Sequence, residues 1–210
     1  MRSGRRFTLP SSPIAQIPFP NASNFCRYEF VNPLQLGDKM FRALDNFTVS
    51  CAGYAVATYV LGIGDRHNDN VMMTKDGKLF HIDFGHFLGN FKTKYGYKRE
   101  RAPFVFTQHM AQVLGGRRVG ERYRKFEDFS GTAFNLLRTH TNTILVLFNL
   151  MVGCGIPELR STEDLLWIRN AMRVEETDAN ARQRFSELIH ESLKCQTTRI
   201  MHLIHILKNS

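Results

Sequence analysis

The chain has 210 residues, 43% of them hydrophobic and 17 of them Phe, enough to bury one sizeable core as a single domain or lobe. A formal net charge of +9 and a pI near 9.7 imply an acidic partner such as phosphate-bearing lipid, nucleotide or nucleic acid, and no segment looks like a nucleic-acid-binding motif. Cys26, Cys51, Cys154 and Cys195 are widely spaced and form no Cys-x-x-Cys pair, which excludes the usual disulfide and zinc frameworks and suits a reducing, cytoplasmic compartment.

In chain order, residues 1–38 come first, with no acidic side chain before Glu29 and with Pro10, Pro13, Pro18 and Pro20 interrupting any regular element. A disordered or non-homologous leader is expected there. Two apolar stretches follow, at 47–64 and 144–156. A membrane span needs about 20 predominantly apolar residues. The first stretch is interrupted by Thr, Ser, Tyr and Gly, and the second is too short, so both read as buried helices.

Between them lies Gly64-Asp65-Arg66-His67-Asn68-Asp69-Asn70, and then Asp83-Phe84-Gly85-His86. Asp76-Gly77 is the kind of pair that closes a two-residue hairpin. On that register Lys75 pairs with Lys78, Thr74 with Leu79 and Asn70 with Asp83. Directly opposed side chains have Cβ atoms about 4.5–5.5 Å apart, so an amide oxygen and a carboxylate would stand together at the open end. Such hard oxygen ligands suit Mg²⁺, which takes one or two protein groups and completes its octahedron with phosphate and water. On a strand of period two His81 shares a face with Asp83, opposite Phe80 and Ile82, and a structural role is expected for it. Arg66 and Asp69 either pair with neighbours to hold the loop or act directly.

Residues 90–102 carry Lys92, Lys94, Lys98, Arg99 and Arg101 against the single Glu100, interleaved with Tyr95, Gly96 and Tyr97. That composition suits a mobile loop contacting phosphates, where Arg can bind bidentately. Further on, the apolar run 129–151 reads as helix, stopped by Gly153, Gly155 and Pro157. Ser161 with Asp164 three later marks another helix start, ahead of Leu165, Leu166 and Ile168. Phe185, Leu188, Ile189, Leu193, Ile200, Leu203, Ile204 and Leu207 recur at helical spacing, with Arg182, Arg184, Lys194, Arg199 and Lys208 off the stripe. Such a helix caps a core or lies on an anionic membrane.

The order Asp65-Arg66-His67, reversed from the His-Arg-Asp of protein kinases, together with Asp83-Phe84-Gly85-His86 after a short hairpin, resembles the phosphatidylinositol 3-kinase and related lipid kinase family. The resemblance runs from about Lys39 to the C-terminus and is most specific at Phe47-Thr48-Val49-Ser50-Cys51-Ala52-Gly53-Tyr54, Tyr59-Val60-Leu61-Gly62-Ile63-Gly64 and Lys98-Arg99-Glu100-Arg101-Ala102-Pro103-Phe104. It implies an α+β, mainly α fold: residues 39–210 would be the C-lobe of a protein-kinase-like catalytic domain with a small β-hairpin at the active site. No Gly-rich loop with a following strand Lys lies upstream of Lys39 to supply an N-lobe.

The resemblance also implies roles. His67 sits near the transferred phosphate, Asp65 orients the loop and His86 takes the proton of the inositol 3-hydroxyl. Asn70 and Asp83 hold Mg²⁺ and through it ATP, while the five basic residues contact a phosphoinositide at a membrane surface, with a regulatory subunit as a further partner. Lys92 with Lys94, Lys98-Arg99-Glu100-Arg101 and His86 look like class I of the family. Ala102-Pro103-Phe104-Val105-Phe106-Thr107 and Thr177-Asp178-Ala179-Asn180-Ala181 look more like class II, and the balance favours class I-like chemistry. Two other readings stand beside this one: a phosphatidylinositol-kinase-like protein kinase, which the basic loop disfavours, and a catalytically inactive regulatory fragment.

Overall fold

The computed structural model describes residues 33–66, 68–91, 93–94, 97–98, 102–116 and 120–195. Six α-helices, two short 3₁₀ turns and two small antiparallel sheets make up the described regular structure, in the mainly α form of an α+β fold.

Helix α1 (Pro33–Val60) is the spine. It buries Phe47, Cys51, Ala52, Ala55 and Val56, a helical spacing that turns one stripe into the core. Its end is a Schellman motif: the Ile63 N–H donates to the Thr58 carbonyl (2.9 Å) and the Gly62 N–H to the Tyr59 carbonyl (3.1 Å), with Gly62 at φ 55. This stop aims the chain into the Gly64–Asn70 motif.

A hairpin of β1 (Val71–Met73) and β2 (Leu79–His81) lies along α1. Its register is Val71 with His81, Met72 with Phe80 and Met73 with Leu79. That is one residue away from the expected pairing, and Asn70 faces Ile82, whose N–H donates to the Asn70 carbonyl at 3.0 Å. The reason is the turn. A two-residue type I′ loop needs positive φ at both central residues, and here Gly77 (φ 87) has it while Asp76 does not. The connection is therefore the three-residue kind: Gly77 N–H donates to Thr74 O (3.0 Å) and Thr74 N–H to Lys78 O (2.9 Å). The Thr74 hydroxyl fastens it by donating to Asp76 (2.5 Å) and accepting from the Lys78 N–H (2.9 Å).

Past the short pair β3 (Thr93–Lys94) and β4 (Tyr97–Lys98) and helix α2 (Gln108–Val113) come the packing helices. Helix α3 (Glu121–Thr139) buries Tyr123, Phe126, Ser130, Phe134 and Arg138 at steps of three, four, four and four. It runs against α6 (Asp178–Lys194), which buries Ala181, Phe185, Leu188, Ile189 and Leu193 as the stripe predicts. Phe185 is the aromatic centre, stacked on Phe104 (5.5 Å) and meeting Phe134 (5.1 Å) and Tyr59 (5.7 Å). Residues 196–210, with the remainder of the stripe, lie outside the described residues, as do 1–32 of the leader.

The 129–151 run is not one helix. It breaks at His140 (φ −103, ψ 11), where α3 ends and α4 (Thr141–Met151) begins. There the Thr141 hydroxyl donates to the Arg138 carbonyl (2.7 Å), a side-chain bond that competes with the helical ladder. Nor is α4 buried. Thr141 is its one buried residue, whereas Val146, Leu147 and Leu150 are more than half exposed. Gly153 and Gly155, both at positive φ, end it as expected. Ser161 and Asp164 form the expected capping box at the 3₁₀ turn Thr162–Leu165, which runs into α5 (Leu166–Met172). Among the described residues no helix is long and apolar enough to cross a membrane.

Candidate active site

Two loops meet at the end of α1. The first descends from Gly62 to the 3₁₀ turn Asn68–Asn70, and the second runs from Ile82 to Phe91. They are joined through the main chain: Gly64 N–H to His86 O (2.9 Å), Leu88 N–H to Leu61 O (2.7 Å) and Gly89 N–H to Gly62 O (3.2 Å). Non-glycine residues at positive φ are uncommon and gather at functional sites. Of the four among the described residues, Asp65 (φ 56), Asp83 (φ 59) and Leu88 (φ 54) lie in these loops.

Arg66 is the clasp between them. Its buried guanidinium donates from Nε to Gly64 O (2.8 Å), and from its terminal nitrogens to Ile82 O (2.7 Å) and to Asp83 O. It also sits over the Phe84 ring at 5.7 Å. Of the two roles open to Arg66, holding the loop is the one its contacts describe.

Asn70 is buried, and its Nδ2 donates to the Asp65 carbonyl at 2.6 Å. That bond uses the nitrogen and fixes the amide plane, so Oδ1 is the hard donor the side chain has for a cation. Asp83 is exposed. Its left-handed backbone takes it out of β2, so the strand alternation that would put it on the His81 face ends before it. Both side chains carry hard oxygens of the kind magnesium takes, although Asn70 stands opposite Ile82 and not Asp83, and among the described residues no cluster of three or more His, Cys, Asp or Glu forms a fuller metal cage. His86 is half-buried and is held by its carbonyl to Gly64. Thus Asp65, Asn70, Asp83 and His86 are brought into one hydrogen-bonded unit. His67, Lys92, Arg99 and Arg101 lie outside the described residues. For Lys94 and Lys98 the backbone is described: they belong to the ladder pairing Thr93 with Lys98 and Lys94 with Tyr97, so part of the basic loop is a small hairpin.

His81 takes the structural place expected of it. It is buried and stacks on Tyr54 of α1 with ring centroids 4.9 Å apart. Burial, with the Arg66 charge adding to it, pushes its pKa down to about 4 from 6.5. Its Nδ1 is buried without a hydrogen-bond partner. Cys51, on the same helix, is buried, which pushes its thiol up to about 12 and makes it inert.

Sequence reasoning passed over Trp167, on α5, whose indole lies against both loops. A Cβ added at Gly62 would meet its Nε1 at 2.4 Å, and one added at Gly89 would meet its Cε3 at 2.2 Å. The signal available was the chain's one Trp and the two glycines flanking the motifs, but nothing local connects them.

Over residues 20–161 the chain matches the family described as phosphatidylinositol 3- and 4-kinase. It is 52% identical over 169 residues to phosphatidylinositol 3-kinase 1 of Dictyostelium discoideum, covering 80% of this chain and 11% of that protein. It is 49% identical over 171 residues to the human phosphatidylinositol 4-phosphate 3-kinase C2 domain-containing subunit beta, covering 81% of this chain and 10% of that protein. Against the mouse phosphatidylinositol 3-kinase C2 domain-containing subunit gamma the identity is 42% over 190 residues, 90% of this chain and 12% of that protein. The chain spans about a tenth of the length of these curated relatives. With the family match covering more than half of its residues, and with the two motif loops clasped as one unit, the chain belongs to the phosphatidylinositol 3- and 4-kinase family and has its protein-kinase-like fold.

Proposed function

We propose that this chain is the C-lobe, residues 39–210, of a phosphoinositide 3-kinase catalytic domain that transfers the γ-phosphoryl group of ATP to the 3-hydroxyl of a membrane inositol lipid. The observation that carries the reading is the Arg66 clasp, which joins the Asp65–Asn70 loop to the loop of Asp83 and His86.

Phosphoryl transfer to a hydroxyl is chiefly positioning and charge stabilisation. Asn70 Oδ1 and the Asp83 carboxylate would hold Mg²⁺, which would supply the positive charge that offsets the negative charge of the ATP phosphates. Asp65 supports this by its carbonyl, which fixes the Asn70 amide. His86 is assigned the proton of the attacking hydroxyl and His67 the neighbourhood of the transferred phosphate, tasks suited to an imidazole near neutral pH. Lys92, Lys94, Lys98, Arg99 and Arg101 contact the lipid phosphates. Their two clusters, with His86, support class I-like use of phosphorylated inositol lipids; the human relative is named for phosphatidylinositol 4-phosphate. A cytoplasmic protein recruited peripherally to membranes, with a regulatory subunit, accords with this chemistry.

The test is ATP-dependent phosphorylation of phosphoinositide vesicles by the full-length protein, with product position read by chromatography. A 3-phosphorylated lipid supports the reading. Phosphorylation of protein and not lipid would replace it with the protein-kinase branch of the family, and no product from folded protein would leave a regulatory descendant.

A further inference from the structure

Trp167 is the second residue of α5 and stands far from the motif loops in sequence, yet it touches both. Gly62 and Gly89 sit at φ 55 and 76, and neither has room for a Cβ because the indole plane occupies that space. The indole N–H donates to the Tyr59 carbonyl at 3.4 Å, at the C-terminal end of α1. Its ring also meets Phe91 edge-on at 5.3 Å, at the start of the basic 90–102 loop. One rigid side chain thus spans the end of α1, the start of the Gly64–Asn70 loop and the end of the Asp83–His86 loop. Two of the three backbone bonds that join the loops, Leu88 to Leu61 and Gly89 to Gly62, lie at or beside the glycines the indole packs against.

We infer that Trp167 is a positioning residue for the reaction: by wedging against Gly62 and Gly89 it fixes the spacing of the two motif loops and anchors the start of the basic loop through Phe91. The catalytic part of this inference rests on the lipid-kinase reading above. The coupling between Trp167 and the loops does not. A packed interface has discrete arrangements rather than a continuous range, so removing the wedge loosens the loops while the α3–α6 core, where Phe185 sits, keeps its own contacts.

Hydrogen–deuterium exchange on the 210-residue chain tests the coupling without any activity. In Trp167→Ala the amides of Gly64, Leu88 and Gly89 exchange about tenfold faster, those of α3 and α6 are unchanged, and Trp167→Phe restores most of the protection. Gly89→Ala, whose added methyl meets the indole, gives the same local pattern and serves if Trp167→Ala fails to fold. In the full-length protein Trp167→Ala lowers kcat about tenfold with KM for ATP little changed, as expected for a group acting on geometry rather than on nucleotide binding. A folded variant with unchanged exchange at the three amides, uniform acceleration through α3 and α6, or loosened loops with normal kcat would each overturn the inference. A wild-type protein that makes no lipid product would sink the kinase reading, and the exchange comparison would still decide the coupling.

Discussion

The guanidinium of Arg66 grips Asp83 by its main-chain oxygen, not by its carboxylate. The same group holds Gly64 and Ile82, so one buried cation closes the gap between two loops by satisfying three carbonyls. Removing it takes the charged donor away from all three acceptors at once.

Arg66→Ala is therefore expected to lower stability by about 3 kcal/mol, since hydrogen bonds from a charged donor are worth roughly 1.5–3 kcal/mol each and act here as a set. Arg66→Lys should fail to rescue, because an ammonium is a point charge without the planar fork. Urea midpoints of the three proteins check this; a lysine variant as stable as wild type would mean that charge rather than fork geometry matters.

Asp83→Asn preserves shape, and Asn tolerates the left-handed backbone that Asp83 adopts at φ 59. Stability should stay within about 0.5 kcal/mol, as for an exposed position, while lipid kinase activity of the full-length protein falls by at least about a hundredfold. Retained activity would remove Asp83 from the metal site.

The pH dependence of stability should carry the signature of His81. Folded, it stays neutral because burial holds its pKa near 4, against 6.5 for an exposed imidazole. Below 6.5 the unfolded chain takes up a proton that the folded one refuses, so stability falls with pH across the window from 6.5 down to 4, by about 2 kcal/mol at pH 5. His81→Phe keeps an aromatic ring beside Tyr54 and removes the titration. Denaturation at pH 7 and pH 5 should then show a smaller acid loss for the variant, and equal losses would assign the effect to other groups.

Gly77 and Gly116 share nearly the same backbone, φ 87 and 88, but not the same surroundings. A Cβ at Gly77 would meet the Ala43 carbonyl oxygen at 2.3 Å, whereas nothing lies within 4 Å of one at Gly116. Alanine should cost about 3 kcal/mol at Gly77, where overpacking adds to conformational strain, and about 1 kcal/mol at Gly116, where strain acts alone. Equal thermal shifts would show that the close approach of the turn to α1 is unimportant.

What could be read from the residues alone was whatever depends on local pattern. The stripe of α6, the Ser161 capping box and the existence of a hairpin between Asn70 and Asp83 follow from spacing and turn chemistry. The hairpin register did not, because Asp-Gly serves both two- and three-residue loops and the choice depends on Thr74 and on how Gly77 fits against α1. Burial of α4 misled for a different reason. Composition says that a helix is apolar, but not whether the domain has a surface left to cover it. The two motifs were legible as order, and their assembly through Arg66 was half legible, since pairing was foreseen and its partners were backbone oxygens. Trp167 was invisible, because its role exists only once two distant glycine turns have been folded onto it.

The spine helix sets a rule for which lengths of chain evolution can alter. Ala43 backs the turn at Gly77, Asn46 donates to Asp76 O (2.8 Å), the Ser50 hydroxyl accepts from the Leu79 N–H (2.9 Å) and Tyr54 stacks on His81. These four residues step along one side of α1 as the hairpin runs beside it, like teeth meeting a rack. Inserting a single residue between Asn46 and Tyr54 would rotate everything beyond it by about 100° and disengage the rack at every tooth past the insertion. Relatives should therefore differ in length in the turn after α4, around Gly153 and Gly155, and keep an unbroken count from Ala43 to Gly62.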